Sequence, residues 1–135
     1  MSGEGNRVVV RHEADIISAR QSARGLAATL GFSESDSILI ATAISEVARN
    51  MVEYARGGEI ALRELQEGGR RGLEIVARDE GPGIADLQLA MQDGYSTGHS
   101  LGLGLPGARR LMDEFQIDSR LGAGTTVVMR KWVLG

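Results

Sequence analysis

The spacing of apolar residues along the chain predicts two consecutive helices near its start. The first is expected over Asp15–Leu30, with Asp15 as its N-cap and Gly31 as a suitable C-terminal stop. The second is expected over Ser35–Ala55, opened by Ser33 or Ser35 and ended by consecutive glycines. A short strand, Val8–Val10, is predicted to precede both helices.

Period-two alternation and turn residues predict four further strands. They form two hairpins, Ile60–Leu65 with Leu73–Arg78, and Gln116–Arg120 with Thr125–Val133. Between the hairpins we expect a short helix over Ala85–Met91, and a longer one from Gly104 or Pro106 to about Phe115. This order predicts a single domain over residues 1–135 with an α+β fold. We expect a two-layer sandwich with the helices on one face of a mixed or antiparallel sheet.

Composition and charge exclude several classes of function. The chain has 135 residues, a formal net charge of −3, no cysteine and no apolar run of membrane-spanning length. This negative net charge does not indicate a basic surface for binding nucleic acid or an anionic membrane. The first residues lack a signal-peptide pattern, so we expect a cytoplasmic protein. Lys131 is the only lysine, so the chain can form neither a P-loop nor the early-strand lysine of eukaryote-like protein kinases.

Two polar motifs occur where a binding site could be built. Glu46 and Asn50 are four positions apart in the second predicted helix, so their side chains share one face. Alone, such a pair most often marks a solvated helix face. Asp79, Gly81 and Gly83 follow the first hairpin, and glycines without a Cβ let a flat ring approach the carboxylate. A simple turn in which Asp79 binds its own backbone explains this second motif equally well.

A glycine-rich segment precedes the last predicted helix. Residues 102–107, GLGLPG, fit the pattern GxGxxG, and the free N–H groups and positive dipole at a helix start suit a polyphosphate. The dinucleotide-binding form of this pattern should follow a buried strand in a βαβ unit. Here it follows a polar loop late in the chain, so that interpretation fails. The last segment, Gly122 to Thr126, indicates by itself only a turn before a strand.

The four segments together, in this order and over nearly the whole chain, resemble the GHKL ATPases, which bind ATP in a Bergerat-type pocket. They correspond to that family's N box, G1 box, G2 box and closing Gly-Thr motif. The resemblance implies that Glu46 is the general base, that Asn50 holds Mg²⁺ through its amide oxygen, and that Asp79 accepts a hydrogen bond from the adenine amine. It assigns the remaining nucleotide contacts to Thr126 near the adenine, Gly81 and Gly83 beneath it, and the backbone of Leu101, Gly102, Leu103, Gly104 and Leu105 along the phosphates.

Within that superfamily, the segments ISEVARN, DEGPGI, DGYSTG and GLGLPGARRLMDEF are similar to those of the RsbT-type serine/threonine switch kinases of the stressosome. The resemblance implies an ATP- and Mg²⁺-dependent kinase that phosphorylates a STAS-domain antagonist of the RsbS or RsbR type. It further implies that the kinase then activates a PP2C-type phosphatase. Residues Asp93–Ser100 would form the ATP lid. That lid contains no lysine, so Mg²⁺, backbone N–H groups and Arg109 would neutralise the γ-phosphate.

Three other functions compete with this interpretation. The chain could be an anti-sigma factor whose serine kinase activity regulates sequestration, which a pull-down with sigma factor against STAS protein would test. It could be the catalytic part of a two-component histidine kinase, but no segment before Val8 resembles a dimerisation helix, and His12 lacks the context of a phosphoacceptor. It could also be a nucleotide sensor without catalysis. Glu46 disfavours a sensor, because binding alone requires no base at that position.

Overall fold

A computed structural model of the chain describes residues 5–55, 57–79, 81, 104–120 and 122–134. The described strands form one antiparallel sheet in the order β1-β2-β3-β5-β4, with the helices packed on it, so the predicted α+β sandwich is confirmed. The elements in chain order are β1 (Gly5–Val10), α1 (Glu13–Leu30), α2 (Glu34–Tyr54), β2 (Gly58–Glu67), β3 (Arg70–Asp79), α3 (Gly104–Leu111), β4 (Glu114–Arg120) and β5 (Gly124–Trp132).

The core lies between one face of this sheet and helices α1 and α2. Because successive strand residues point to opposite faces, alternate side chains of the strands enter the core. Small residues on α1 let the helix backbones approach closely, and larger side chains of α2 fill the remaining space. The buried side chains are Ala19, Ala23, Ala27 and Leu30 of α1, Ile40, Ile44, Val47 and Met51 of α2, and Ile60, Leu62, Leu73, Ile75, Ala77, Val127 and Met129 of the sheet. In the described part of the chain, no helix is both long and apolar enough to cross a membrane.

Hydrogen bonds at the first turns define where α1 and α2 begin. The N-cap of α1 is His12, three residues before the predicted cap. The carboxylate of Asp15 instead reaches back and accepts hydrogen bonds from the backbone N–H groups of Arg11 (2.8 Å) and His12 (3.0 Å). These bonds lower the pKa of Asp15. Helix α2 begins after Ser33, as predicted, because the Ser33 hydroxyl accepts from the backbone N–H of Asp36 at 3.1 Å.

Helix α3 ends at Leu111, four residues before the predicted end at Phe115, because strand β5 binds the chain beyond it. The Nζ of Lys131 donates to the carbonyl of Leu111 at 3.1 Å and so caps the helix. Asp113 then accepts a hydrogen bond from the backbone N–H of Trp132 at 2.8 Å, and β4 starts at the next residue. The predicted helix over Ala85–Met91 lies outside the described residues.

Candidate nucleotide site

Helix α2 brings Glu46 and Asn50 to one side, one turn apart, as predicted. Glu46 is only 7% exposed, whereas Asn50 is half-buried. A buried carboxylate is costly to desolvate, so it persists only where polar contacts or chemistry compensate for the cost. The burial of Glu46 therefore excludes a purely solvated helix face. The pair lies at the edge of the core, with the amide of Asn50 nearer to solvent.

Asp79 ends strand β3 and is fixed by two backbone donors. Its side chain is 6% exposed. The Oδ1 atom accepts from the N–H of Gly81 at 3.0 Å and from the N–H of Thr125 in β5 at 3.2 Å. The first bond is the local turn that the sequence allowed, and the second attaches the carboxylate to a strand 46 residues away. Among the described residues, no hydrogen bond reaches Oδ2, so that oxygen can accept from a ligand.

Two glycines let the strand ends beside Asp79 pack against the end of α2. A Cβ built on Gly81 would lie 2.5 Å from the Cβ of Ala55, which follows the last turn of α2. A Cβ on Gly58, the cross-strand partner of Asp79, would clash with the backbone oxygen of Arg78 and would lie 2.5 Å from the Cε of Met51. Real Cβ atoms do not approach other atoms this closely, so both positions require glycine. Gly81 thus has a packing role in addition to the predicted one beneath the base.

The proposed chemical groups follow one another along α2 in a simple order. Ala55 contacts the Asp79 corner through Gly81, while Asn50 lies five residues earlier, about 7.5 Å along the helix axis, and Glu46 nine residues earlier, about 13.5 Å. Helix α3 packs against α2. The side chain of Leu105 in its first turn is buried, so only the backbone there can face a ligand. The acceptor corner, the amide and the carboxylate therefore follow one another in this order along α2.

The strand register places Thr126, predicted to lie near the adenine, on the sheet face opposite the Asp79 carboxylate. In the β3–β5 pairing, Thr126 lies opposite Arg78, whereas Thr125 lies opposite Asp79. Because cross-strand partners share a face, the side chain of Thr126 points away from the helices and away from the Asp79 carboxylate. Thr125 is the threonine that lies with Asp79, and its hydroxyl is 2.8 Å from that of Ser119. The sequence alone does not distinguish these two adjacent threonines, because strand parity is set only by the pairing.

The remaining predicted residues divide into those that the structure describes and those that it does not. Gly104 begins α3, and Arg109 is exposed on the same helix. Lys131 is occupied at the opposite end of α3, where it caps Leu111, so it is not at the helix start. The predicted contacts at Gly83, Leu101, Gly102 and Leu103, and the predicted lid Asp93–Ser100, lie outside the described residues.

Comparisons with known proteins identify the family of the chain and its similarity to a protein kinase. Residues 10–131 match the histidine kinase-like ATPase domain family. A serine/threonine-protein kinase, RsbT from Bacillus subtilis, is 48% identical over 126 residues, which cover 93% of this chain and 95% of that protein. An anti-sigma F factor from a Thermoanaerobacter species is 32% identical over 100 residues, or 70% of this chain and 68% of that protein.

Two solved structures share this fold at low sequence identity. The RsbU and RsbW domains of a Mycobacterium tuberculosis protein align with a TM-score of 0.64 at 22% identity, covering 95% of this chain and 32% of that one. The mycobacterial sensor histidine kinase MprB aligns with a TM-score of 0.56 at 17% identity, covering 96% of this chain and 97% of that one. At these identities the structures support the architecture alone.

Proposed function

The chain belongs to the histidine kinase-like ATPase domain family and is a protein serine/threonine kinase that uses ATP, and from this premise we propose that it phosphorylates a serine of a STAS-domain antagonist protein. One observation carries the catalytic part of the proposal. Glu46 is buried one helical turn from the half-buried Asn50, on the helix whose end contacts the Asp79 corner. A carboxylate and an amide thus lie on one helix, and the fixed acceptor lies at the strand end that this helix contacts.

Asp79 anchors the adenine in this proposal. Its Oδ1 is already occupied by two backbone N–H groups, which leaves Oδ2 to accept from the exocyclic amine. An acceptor that is held by the fold before ATP arrives loses little conformational freedom on binding, which favours affinity. The proposal keeps the predicted contacts at Gly81 and Gly83 and along Leu101–Leu105, and it replaces Thr126 by Thr125 beside the base.

Asn50 fits a magnesium ligand of the kind that relies on substrate phosphates. The described residues contain no group of three or more His, Cys, Asp or Glu side chains that could hold a metal unaided. Mg²⁺ accepts one or two protein oxygens and completes its shell with phosphates and water, so a single amide oxygen is sufficient. When bound, Mg²⁺ would neutralise charge on the β- and γ-phosphates.

Glu46 is proposed to accept the proton of the attacking serine. As the serine Oγ forms its bond to the γ-phosphorus, the bond from that phosphorus to the bridging oxygen breaks and ADP leaves. The hydroxyl proton moves to the Glu46 carboxylate. Backbone N–H groups at the start of α3, with the positive end of its dipole, stabilise the negative charge on the phosphates.

The proposed partners follow from kinship with RsbT. We infer a substrate of the RsbS or RsbR type in a stressosome, subsequent activation of a PP2C-type phosphatase, and a cytoplasmic location. A second candidate is an anti-sigma factor with serine kinase activity, which is favoured by the 32% identity to an anti-sigma F factor over 70% of this chain. A pull-down with both a STAS protein and a sigma factor separates these two candidates. A kinase of STAS-domain proteins should bind the STAS protein and should not bind the sigma factor.

A single-turnover assay with labelled ATP and the STAS partner tests the catalytic role of Glu46. Glu46→Gln keeps the size and most hydrogen bonding but cannot take a proton, so transfer should fall by about 10²–10⁴-fold while ATP still binds. Glu34→Gln, the same change in the exposed first turn of α2, is the matched control and should transfer phosphate at the wild-type rate. Wild-type transfer by Glu46→Gln would refute the assignment.

A further inference from the structure

The sheet has a second face, which points away from α1 and α2, and we call it the open face. Among the described residues, no helix covers it. Its side chains alternate with those of the core and form cross-strand rows, one of which contains Ala61, Val76 and Val128. A cavity of about 670 Å³ lies on this face over strands β1, β2 and β3. A second cavity of about 600 Å³ lies over β4 and β5.

Both glutamates in the lining of the first cavity are already paired. Glu59 pairs with Arg7 at 3.3 Å, and Glu74 pairs with Arg63 at 2.7 Å. Arg78 lines both cavities, is exposed, lies opposite Glu59 in the β2–β3 register, and makes no ion pair with any residue that the structure describes. An arginine between two concave surfaces can therefore offer N–H donors to a ligand.

The cavity is more positive than the rest of the protein. Four arginines line it, since Arg11 joins the three named above, against three acidic residues, the two glutamates and Asp79. Four positive minus three negative charges leave an excess of +1, whereas the whole chain has a formal net charge of −3. Arginine is also the basic residue most often used to recognise carboxylates in two-point contacts.

We propose that the open face is a docking surface for an acidic segment of a partner protein, with carboxylates bound at Arg78 and apolar side chains packed on Ala61 and Val76. Charge complementarity selects this occupant, because the basic excess is local and surrounds a small apolar strip. The surface goes beyond the proposed phosphotransfer and does not depend on it. Glu46 and the side chain of Asp79 lie on the helix side of the sheet, so the partner docks on one face while chemistry takes place on the other.

The docking surface also touches the rear of the nucleotide site. The lining of the cavity includes Gly57, Gly58 and Asp79, at the same strand ends that pack against α2. A segment bound there lies behind the residue proposed to hold the adenine. Occupancy of the open face is therefore in a position to influence nucleotide binding without any contact to the nucleotide.

Fluorescence anisotropy with a labelled peptide of alternating glutamate and valine tests the proposal, with a glutamine–valine peptide as the uncharged probe. The wild type should bind the acidic peptide, and Arg78→Glu should weaken binding roughly tenfold, because it removes one attraction and adds a repulsion. Arg24→Glu, the same charge reversal at an exposed position on α1, should change affinity less than about twofold. ATP affinity should be the same in both variants.

Three outcomes would overturn the proposal. If Arg24→Glu weakened binding of the acidic peptide as much as Arg78→Glu, the peptide would respond only to net charge. If the wild type bound the glutamine–valine peptide as tightly as the acidic one, the carboxylates would have no part in binding. Self-association of the wild type that Arg78→Glu abolishes, measured by sedimentation, would assign the face to a second copy of this chain. Arg78 is exposed, so replacing it should not unfold the protein. Circular dichroism of each variant, and the milder substitution Arg78→Gln, distinguish a loss of binding from a loss of folding.

Discussion

Asp79→Asn should separate the contact with adenine from the contacts that hold the fold. In the native protein, Oδ1 accepts from Gly81 at 3.0 Å and from Thr125 at 3.2 Å. Asparagine keeps one carbonyl oxygen, which can take the position of Oδ1 and retain both bonds. Its amide nitrogen must then replace Oδ2, so that a donor faces the donor amine of adenine.

The expected losses can be estimated from these bonds. The contact to adenine is replaced by two opposed donors, which should cost about 1–3 kcal/mol in binding. Since 1.4 kcal/mol is a factor of ten, Kd for ATP should rise by roughly 5- to 150-fold. The two bonds within the protein lose their charge assistance, so the free energy of unfolding should fall by about 2 kcal/mol. The variant therefore remains folded, but it binds ATP weakly.

Calorimetry with ATP and with ADP, together with urea unfolding, measures both quantities. The loss should be the same for the two nucleotides, because Asp79 is assigned to the base that they share. Asp118→Asn, on the exposed side of β4, is the matched control and should leave ATP affinity unchanged. Unchanged ATP affinity in a folded Asp79→Asn protein would refute the assignment. A loss confined to ATP would also refute it, since the effect would then come from the phosphates.

Three further variants test other parts of the site and the fold. Asn50→Ala should weaken binding of ATP with Mg²⁺ far more than binding of ATP in a chelator, and equal losses in calorimetry would make Asn50 structural. Gly81→Ala should lower the free energy of unfolding by about 1–3 kcal/mol, because its Cβ meets that of Ala55 at 2.5 Å; Ala55→Gly should restore part of it, and no restoration would contradict the contact. The indole N–H of Trp132 donates to Glu114 and, with Arg130, lowers the pKa of Glu114. The stabilisation is thus complete above the ordinary glutamate pKa and is lost as pH falls through the folded value. Glu114→Gln should reduce the fall in Tm between neutral and acidic pH. A dependence of Tm on pH equal to that of the wild type would exclude this role of Glu114.

Features that depend on near neighbours in the chain were predicted from the sequence. Ser33 or Ser35 was expected to open α2 and Gly31 to end α1, because a cap hydroxyl and a residue with positive φ act within one turn; of the two serines, Ser33 is the cap. The shared side of Glu46 and Asn50 follows from helix periodicity alone. The hairpins and the two-layer architecture followed from alternation and turn residues. Burial of Glu46, in contrast, depends on what packs against α2.

Tertiary pairing decided the features that a local pattern leaves open. Thr125, and not Thr126, lies with Asp79, because a shift of one residue in a strand exchanges its two faces, and only the β3–β5 register selects between them. Helix α3 ends early because Lys131, twenty residues further along, binds the carbonyl of Leu111. Arg78 on the open face lies opposite Glu59 in the strand register, but Glu59 pairs with Arg7 and Glu74 with Arg63, so Arg78 forms no ion pair with the described residues. Each of these outcomes depends on residues that are distant in sequence, and the free energy of such contacts exists only in the folded sheet.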